Sequence, residues 1–262
     1  MGTSSSYPGP SGIKPLLPPW ADEAADQDNE DLRHIPDVSW RAPKAALSRM
    51  AHGSTTTRIK SVAQSYVRAS GGSHTAAAAA QSGRIVTGHL ANMLSTGISN
   101  GFAQAARQLG LGELRGRDAD FVLASFVDLL APDGALLEEA AARRATIVTM
   151  VELFAQCDVE AGGVEALNSL DAEGVKGVIT LFVINYVDAR LQQVLVSRIE
   201  RGALTEQDAN NLLMQMREYI AGIVQLDFTD IDVATLDWQG AEGQRRIERF
   251  YQDAYSVLGD EE

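Results

Sequence analysis

One cysteine, few aromatics and no apolar run of about 18 residues or more set the first limits on this 262-residue chain. Cys157 alone excludes an intramolecular disulfide framework and fits a reducing cytoplasm. It falls in an apolar helical stretch, where a small core residue is expected rather than a nucleophile. The longest apolar stretch, Val178 to Val187, is broken by Thr180 and Asn185 and is too short to span a bilayer. No basic segment followed by an apolar one opens the sequence, so secretion is not expected and a cytoplasmic protein is. Aromatics make up 6% of the residues, which leaves alanine and leucine to supply most of the apolar content and favours helices.

The motifs of common catalytic and cofactor sites are also missing. There is no G-x-x-x-x-G-K-[ST] to cradle phosphates and no G-x-G-x-x-G after a strand. There is no G-x-S-x-G elbow to expose a serine nucleophile. His34, His52, His74 and His89 have neither H-E-x-x-H spacing nor cysteine partners, so surface or capping roles are expected of them rather than metal ligation. A non-enzyme without a cofactor is the expectation.

Acidic residues are absent from one long segment. Between Val38 and Gly112 there is no Asp or Glu, while Arg41, Lys44, Arg49, Arg58, Lys60, Arg68, Arg84 and Arg107 give it a formal charge of +8 in a chain whose net charge is −13. The default reading is that this segment packs against the acidic remainder. Docking of an acidic partner through Arg41, Lys44, Arg49, Arg58, Lys60 and Arg68 is the second. Nucleic-acid binding is the third and is disfavoured, because no aromatics interleave the basic residues.

The elements that are present are helical. Residues 1–45 read as a flexible tail, first Gly/Ser/Pro-rich and then acidic, and 46–262 as a helical bundle domain of about six to eight helices. Thr57 to Arg68 places Ile59, Val62, Ala63, Tyr66 and Val67 on one face. Gly71-Gly72 breaks that helix, and Ser73 is expected to cap the next. His74 to Leu109 reads as one broken helix or two, with Gly97 and Gly101 spaced for close helix packing. Asp118 to Leu130 is a helix with Phe121, Val122, Ser125, Phe126 and Leu129 on one face. Leu136 to Val159 is another, with Glu139 and Arg143 placed to pair. Val175 to Arg201 is apolar nearly all round and is expected at the bundle centre, where Asn185 and Asp188 mark a satisfied polar network or an interface contact. Gly202 reads as a C-cap, and Thr205 with Asp208 as a capping pair. Gln207 to Leu226 and Gly243 to Leu258 are the last helices, with Phe228 to Leu236 a short extended piece.

The opening Met1-Gly2-Thr3-Ser4-Ser5-Ser6-Tyr7-Pro8 carries the clearest functional signal. Removal of Met1 leaves Gly2 with a free α-amine, whose ordinary pKa of about 8 keeps part of it neutral and nucleophilic at pH 7. Thr3, Ser4, Ser5 and Ser6 are thin enough to follow it into a narrow channel. Tyr7 and Pro8 extend that partner-binding tail, and Trp20 is an aromatic anchor for a partner pocket. An ordinary polar leader is the plain alternative. The opening also fits M-G-x-x-x-[ST], but one acyl chain beside an acidic tail gives only marginal membrane binding.

This opening, together with Leu16-Leu17-Pro18-Pro19-Trp20, Ser48-Arg49-Met50-Ala51, Ala69-Ser70-Gly71-Gly72-Ser73, Ala131-Pro132-Asp133-Gly134 and Asp188-Ala189-Arg190-Leu191, resembles the QatB family, a subunit of the four-part Qat anti-phage defence systems. The resemblance implies a bacterial, non-catalytic protein working with an ATPase (QatA), a QueC-like protein (QatC) and a TatD-like nuclease (QatD). QueC-like proteins are similar to enzymes that use ATP to activate a carboxylated deazaguanine and transfer it to an amine. The resemblance thus implies that QatC is the direct partner and that Gly2 is an acceptor amine. A scaffold joining the ATPase and the nuclease, with the tail as a tether, is the alternative.

Overall fold

The computed structural model describes residues 56–199 and 206–259, with the side chains of 56–58, 194–199 and 206–209 outside the description. Its ten α-helices are α1 (Thr56–Ala69), α2 (Ser73–Ala78), α3 (Gln81–Asn100), α4 (Phe102–Gln108), α5 (Ala119–Leu130), α6 (Leu137–Cys157), α7 (Val159–Gly162), α8 (Ala172–Ile199), α9 (Glu206–Ile223) and α10 (Ala241–Gly259). A 3₁₀ segment, Gly163–Ser169, joins α7 to the turn before α8. Seven of the α-helices run twelve residues or more, and no strand occurs among the described residues. The chain is all-α.

Helix α8 is the axis. Phe182 to Ala189 are buried without interruption, so this stretch of the helix is covered on every side. It packs most heavily on α6, then on α9 and α3. Helix α1 buries the five residues its period predicts, Ile59, Val62, Ala63, Tyr66 and Val67. It lies against α10, where the Tyr66 and Tyr255 rings stack with centroids 6.4 Å apart. Gly259 gives Val67 room there, since a Cβ on it would sit 3.0 Å from Val67 Cγ1.

Helix α3 enters the core at Gly83. A Cβ there would lie 2.7 Å from both Tyr186 Cζ and Tyr251 Oη, so only glycine admits the α8 and α10 tyrosines at this depth. Ala80, which precedes α3, offers no side-chain cap. Glu138 of α6 supplies it from a distance by accepting from the Ser82 backbone N–H at 2.7 Å and the Tyr186 hydroxyl at 3.1 Å. A carboxylate at a helix N-terminus also complements the helix dipole.

Several local expectations are corrected. Ser73 is the first residue of α2 and does not cap it; Gly72 holds the cap position with no side-chain bond. The 74–109 region is three helices, because Ala80 leaves the helical basin at ψ 42° and Gly101 turns to φ 85°. Gly97 makes room for the Phe102 ring of the following helix, so the Gly97/Gly101 spacing marks a corner within the chain. In α5, Asp118 caps the helix by accepting from Phe121 N at 2.7 Å. The buried face, however, is Val122, Phe126, Val127 and Leu130, while Phe121 stays exposed beneath Arg117, 5.0 Å from its ring centroid.

Glu139 does not pair with Arg143. It accepts from the Leu136 N–H at the start of α6, and Arg143 instead bridges Asp128 and Asp133, each at 2.7 Å. Cys157 is half-buried at the end of α6, packed against the core beside Asp158 in a left-handed turn. Phe228 to Leu236 is a chain of turns in which Asp227, Asp232 and Asp237 each accept backbone N–H groups just downstream. Trp238 anchors this segment: it is fully buried and donates to Ser95 Oγ at 2.9 Å and the Val233 carbonyl at 3.2 Å. Gly202, Thr205 and the Asp208 side chain lie outside the described residues.

Glycines in different surroundings separate packing from backbone propensity. Gly83→Ala is expected to destabilise the protein by about 1–3 kcal/mol through overpacking. Gly177→Ala, on the exposed side of α8 with nothing within 4 Å, is expected to stabilise it by about 0.5–1 kcal/mol. Urea denaturation of the two variants checks both signs.

Candidate functional site

Most of the residues expected to carry function are in the first part of the chain. Gly2, Thr3, Ser4, Ser5, Ser6, Tyr7, Pro8, Trp20, Arg41, Lys44 and Arg49 lie outside the described residues, as does the Arg58 side chain. Lys60 and Arg68 are on α1, the first half-buried and the second exposed. Two other members of the acid-free segment meet acidic residues of the body. Arg84 approaches Glu248 at 3.7 Å, and Arg107 pairs with Glu113 at 2.8 Å. His74 and His89 are exposed. Among the described residues no group of three or more His, Cys, Asp and Glu is placed to hold a metal ion. None of the described helices is long and apolar enough to cross a membrane.

Asn185 and Asp188 lie on one side of α8, as their spacing requires. Asn185 donates to Thr149 Oγ1 of α6 at 3.0 Å and is satisfied. Asp188 is satisfied only in part: Gln192, one turn on, donates to Oδ2 at 2.6 Å, while Oδ1 is buried with no partner. The two residues belong to separate hydrogen bonds and not to one network. Both line a cleft of about 280 Å³ between α6, α8 and α9, with Arg144 and Val148 on the α6 side and Leu213, Met214 and Arg217 on the α9 side. Arg217 forms an ion pair with Glu152 of α6 across it.

Burial pushes the Asp188 carboxyl up to about 6. The charges of Arg217 and Arg144 and the Gln192 hydrogen bond pull the other way and do not overcome it. A chemically different cluster lies on the opposite side of α8. There Arg190, half-buried, donates to Gln193 Oε1 at 3.1 Å. Burial opposes its charge, but the nearby Tyr66, Tyr186, Tyr255 and Glu138 outweigh that and raise its pKa. Tyr186, Tyr251 and Tyr255 are pushed far up, by burial foremost, and remain neutral phenols. Tyr251 and Thr87 share a hydrogen bond of 3.0 Å, and the Tyr186 and Tyr251 rings meet edge-on at 5.5 Å. This tyrosine cluster closes the core and leaves no reactive group open.

Sequence reasoning found Asn185 and Asp188 from their polarity in an apolar helix. The i, i+4 partner Gln192 was readable by the same spacing. Arg144 and Arg217 carried no such signal, because they reach Asp188 from other helices.

The Asp188 carboxyl has a definite pH signature. Its folded pKa, near 6, lies above the ordinary 3.8, so the folded state holds the proton more tightly than the unfolded state. That contribution is fully present below about pH 4, declines as pH rises through 6 and is lost above it. Asp188→Asn removes the buried charge and is expected to stabilise the protein by about 1–3 kcal/mol at pH 8, with a smaller gain at pH 5. Denaturant titrations of both proteins at the two pH values check this.

No curated protein and no solved structure matches the chain. Residues 71–258, from the α1–α2 turn into α10, match the model of a family described as Qat anti-phage system associated protein QatB, and the N-terminal opening precedes that match. With well over half of its length covered, the chain belongs to the QatB family of anti-phage defence proteins.

Proposed function

We propose that this protein, a component of a Qat anti-phage system, presents its Gly2 amine to the QueC-like partner QatC for ATP-dependent modification. The observation that carries the reading is the Met1-Gly2 opening followed by Thr3, Ser4, Ser5 and Ser6, in a chain that belongs to the QatB family. The neutral amine attacks a carboxyl carbon that ATP has activated. An amide N–C bond forms, the bond to the ATP-derived leaving group breaks, and the amine gives up a proton. A deazaguanine-type acid is the expected donor. The helical body serves as a handle that docks outside the partner's active site, with Trp20 and the basic residues Arg41, Lys44, Arg49, Arg58, Lys60 and Arg68 as contacts. The protein itself supplies no catalytic group in this reading.

A scaffold that joins the system's ATPase and nuclease is the second reading. It is favoured by the exposed apolar residues Ile147 and Val151, one turn apart on the outer side of α6. Deletion of residues 2–12 separates the two: a scaffold still assembles and protects cells, whereas a modification substrate assembles and fails to protect.

The intact mass of the protein, co-expressed with and without QatC, tests the first reading. A partner-dependent added mass on Gly2 is expected. Insertion of leucine between Met1 and Gly2 is expected to abolish it, and an adduct that persists on that variant overturns the Gly2 assignment.

A further inference from the structure

Asp188 is only 7% exposed, and its Oδ1 has no hydrogen-bond partner. A buried, unpaired carboxylate oxygen costs stability, and a mere structural role is served better by an amide. This carboxylate is not sealed in the core, because it lines the cleft between α6, α8 and α9. Gln192 fixes its other oxygen at 2.6 Å, which leaves Oδ1 as the acceptor still to be met.

The rest of the cleft sets the chemistry of what meets it. Ala145, Asn185 and Ala189 are buried and form its floor, while Arg144 and Met214 are exposed at its mouth. Arg217 is already paired with Glu152; Arg144 acts on Asp188 through its charge but forms no close ion pair among the described residues. The cleft therefore has an acceptor at its base, an open guanidinium at its rim and the apolar side chains of Leu213 and Met214 along one wall. A simple cation would face two arginines, and a simple anion would face Asp188. A ligand with both characters meets both ends.

We propose that this cleft binds a small ligand with an N–H donor and a carboxylate on one short frame, as in a free α-amino acid or the C-terminal residue of a peptide. Its N–H donates to Asp188 Oδ1, its carboxylate pairs with Arg144, and its side chain rests on Leu213 and Met214. A cleft of about 280 Å³ has room for one such residue. The site is independent of the Gly2 chemistry and stands or falls separately from it.

Titration calorimetry of the full-length protein tests the proposal. The probes are the individual free α-amino acids and, separately, their N-acetylated forms. At least one probe is expected to bind, with Asp188→Asn and Arg144→Gln each weakening it by about tenfold or more, the loss of one charge-assisted contact. Binding confined to free amino acids identifies a metabolite, and binding of the acetylated forms identifies a peptide C-terminus. Absence of heat from every probe overturns the proposal, as does binding that both substitutions leave unchanged. Circular dichroism confirms that the variants are folded, and Arg245→Gln on the outer side of α10 is the control expected to bind as the parent does.

Discussion

The close approach at Gly83 is the constraint on which the helical body depends. Three helices that are far apart in sequence converge there: α3 contributes a backbone without a side chain, α8 contributes Tyr186 and α10 contributes Tyr251. The contact works only if α3 starts at the right height, and Glu138 of α6 fixes that by binding the Ser82 N–H and the Tyr186 hydroxyl together. Four helices are thus tied at a single point by one glycine, two phenols and one carboxylate. The Tyr186 and Tyr251 hydroxyls both find partners, so these tyrosines add buried area without leaving their own polar atoms unmet. The middle of the central helix, Phe182 to Ala189, can then be buried on every side because neighbours cover it.

What the sequence made legible follows from how local each signal is. The α1 face and the all-round burial of the middle of α8 are properties of spacing along one helix, and both appear where the period places them. Residues 74–109 were harder, because a run of alanine and glycine reads alike as one helix or several. The break at Ala80 has no sequence marker, and Gly101 resembles the packing glycines around it. Phe228 to Leu236 reads as a short extended piece, and the turns found there depend on Asp227, Asp232 and Asp237 accepting backbone N–H groups just downstream. The span of α5 agrees with the expected Asp118 to Leu130, yet the span gave no phase for the buried face, which tertiary contacts decide.

The cleft divides in the same way. Asp188 stands out as an acid in an apolar helix, and the family resemblance found independently at the opening is matched by the body from residue 71 onward. The arginines that give the cleft its mixed character come from α6 and α9, more than twenty residues away on either side of Asp188, so no pattern along the chain links them. The protein thus has two chemically distinct features, an opening whose proposed role rests on a few residues and a mixed-charge cleft that exists only after folding.

The stacking of Tyr66 on Tyr255 and the contact of Val67 with Gly259 have a mechanical consequence. The first described helix is seated on the last, so the two ends of the helical body are clasped to each other. A partner that grips the chain upstream of residue 56 pulls directly on α1. Helix α1 rests on α10 and α9, so these two helices share that load. Traction on the N-terminal segment therefore loads a buried contact, Tyr66 on Tyr255, that adjoins the tyrosines packed around Gly83.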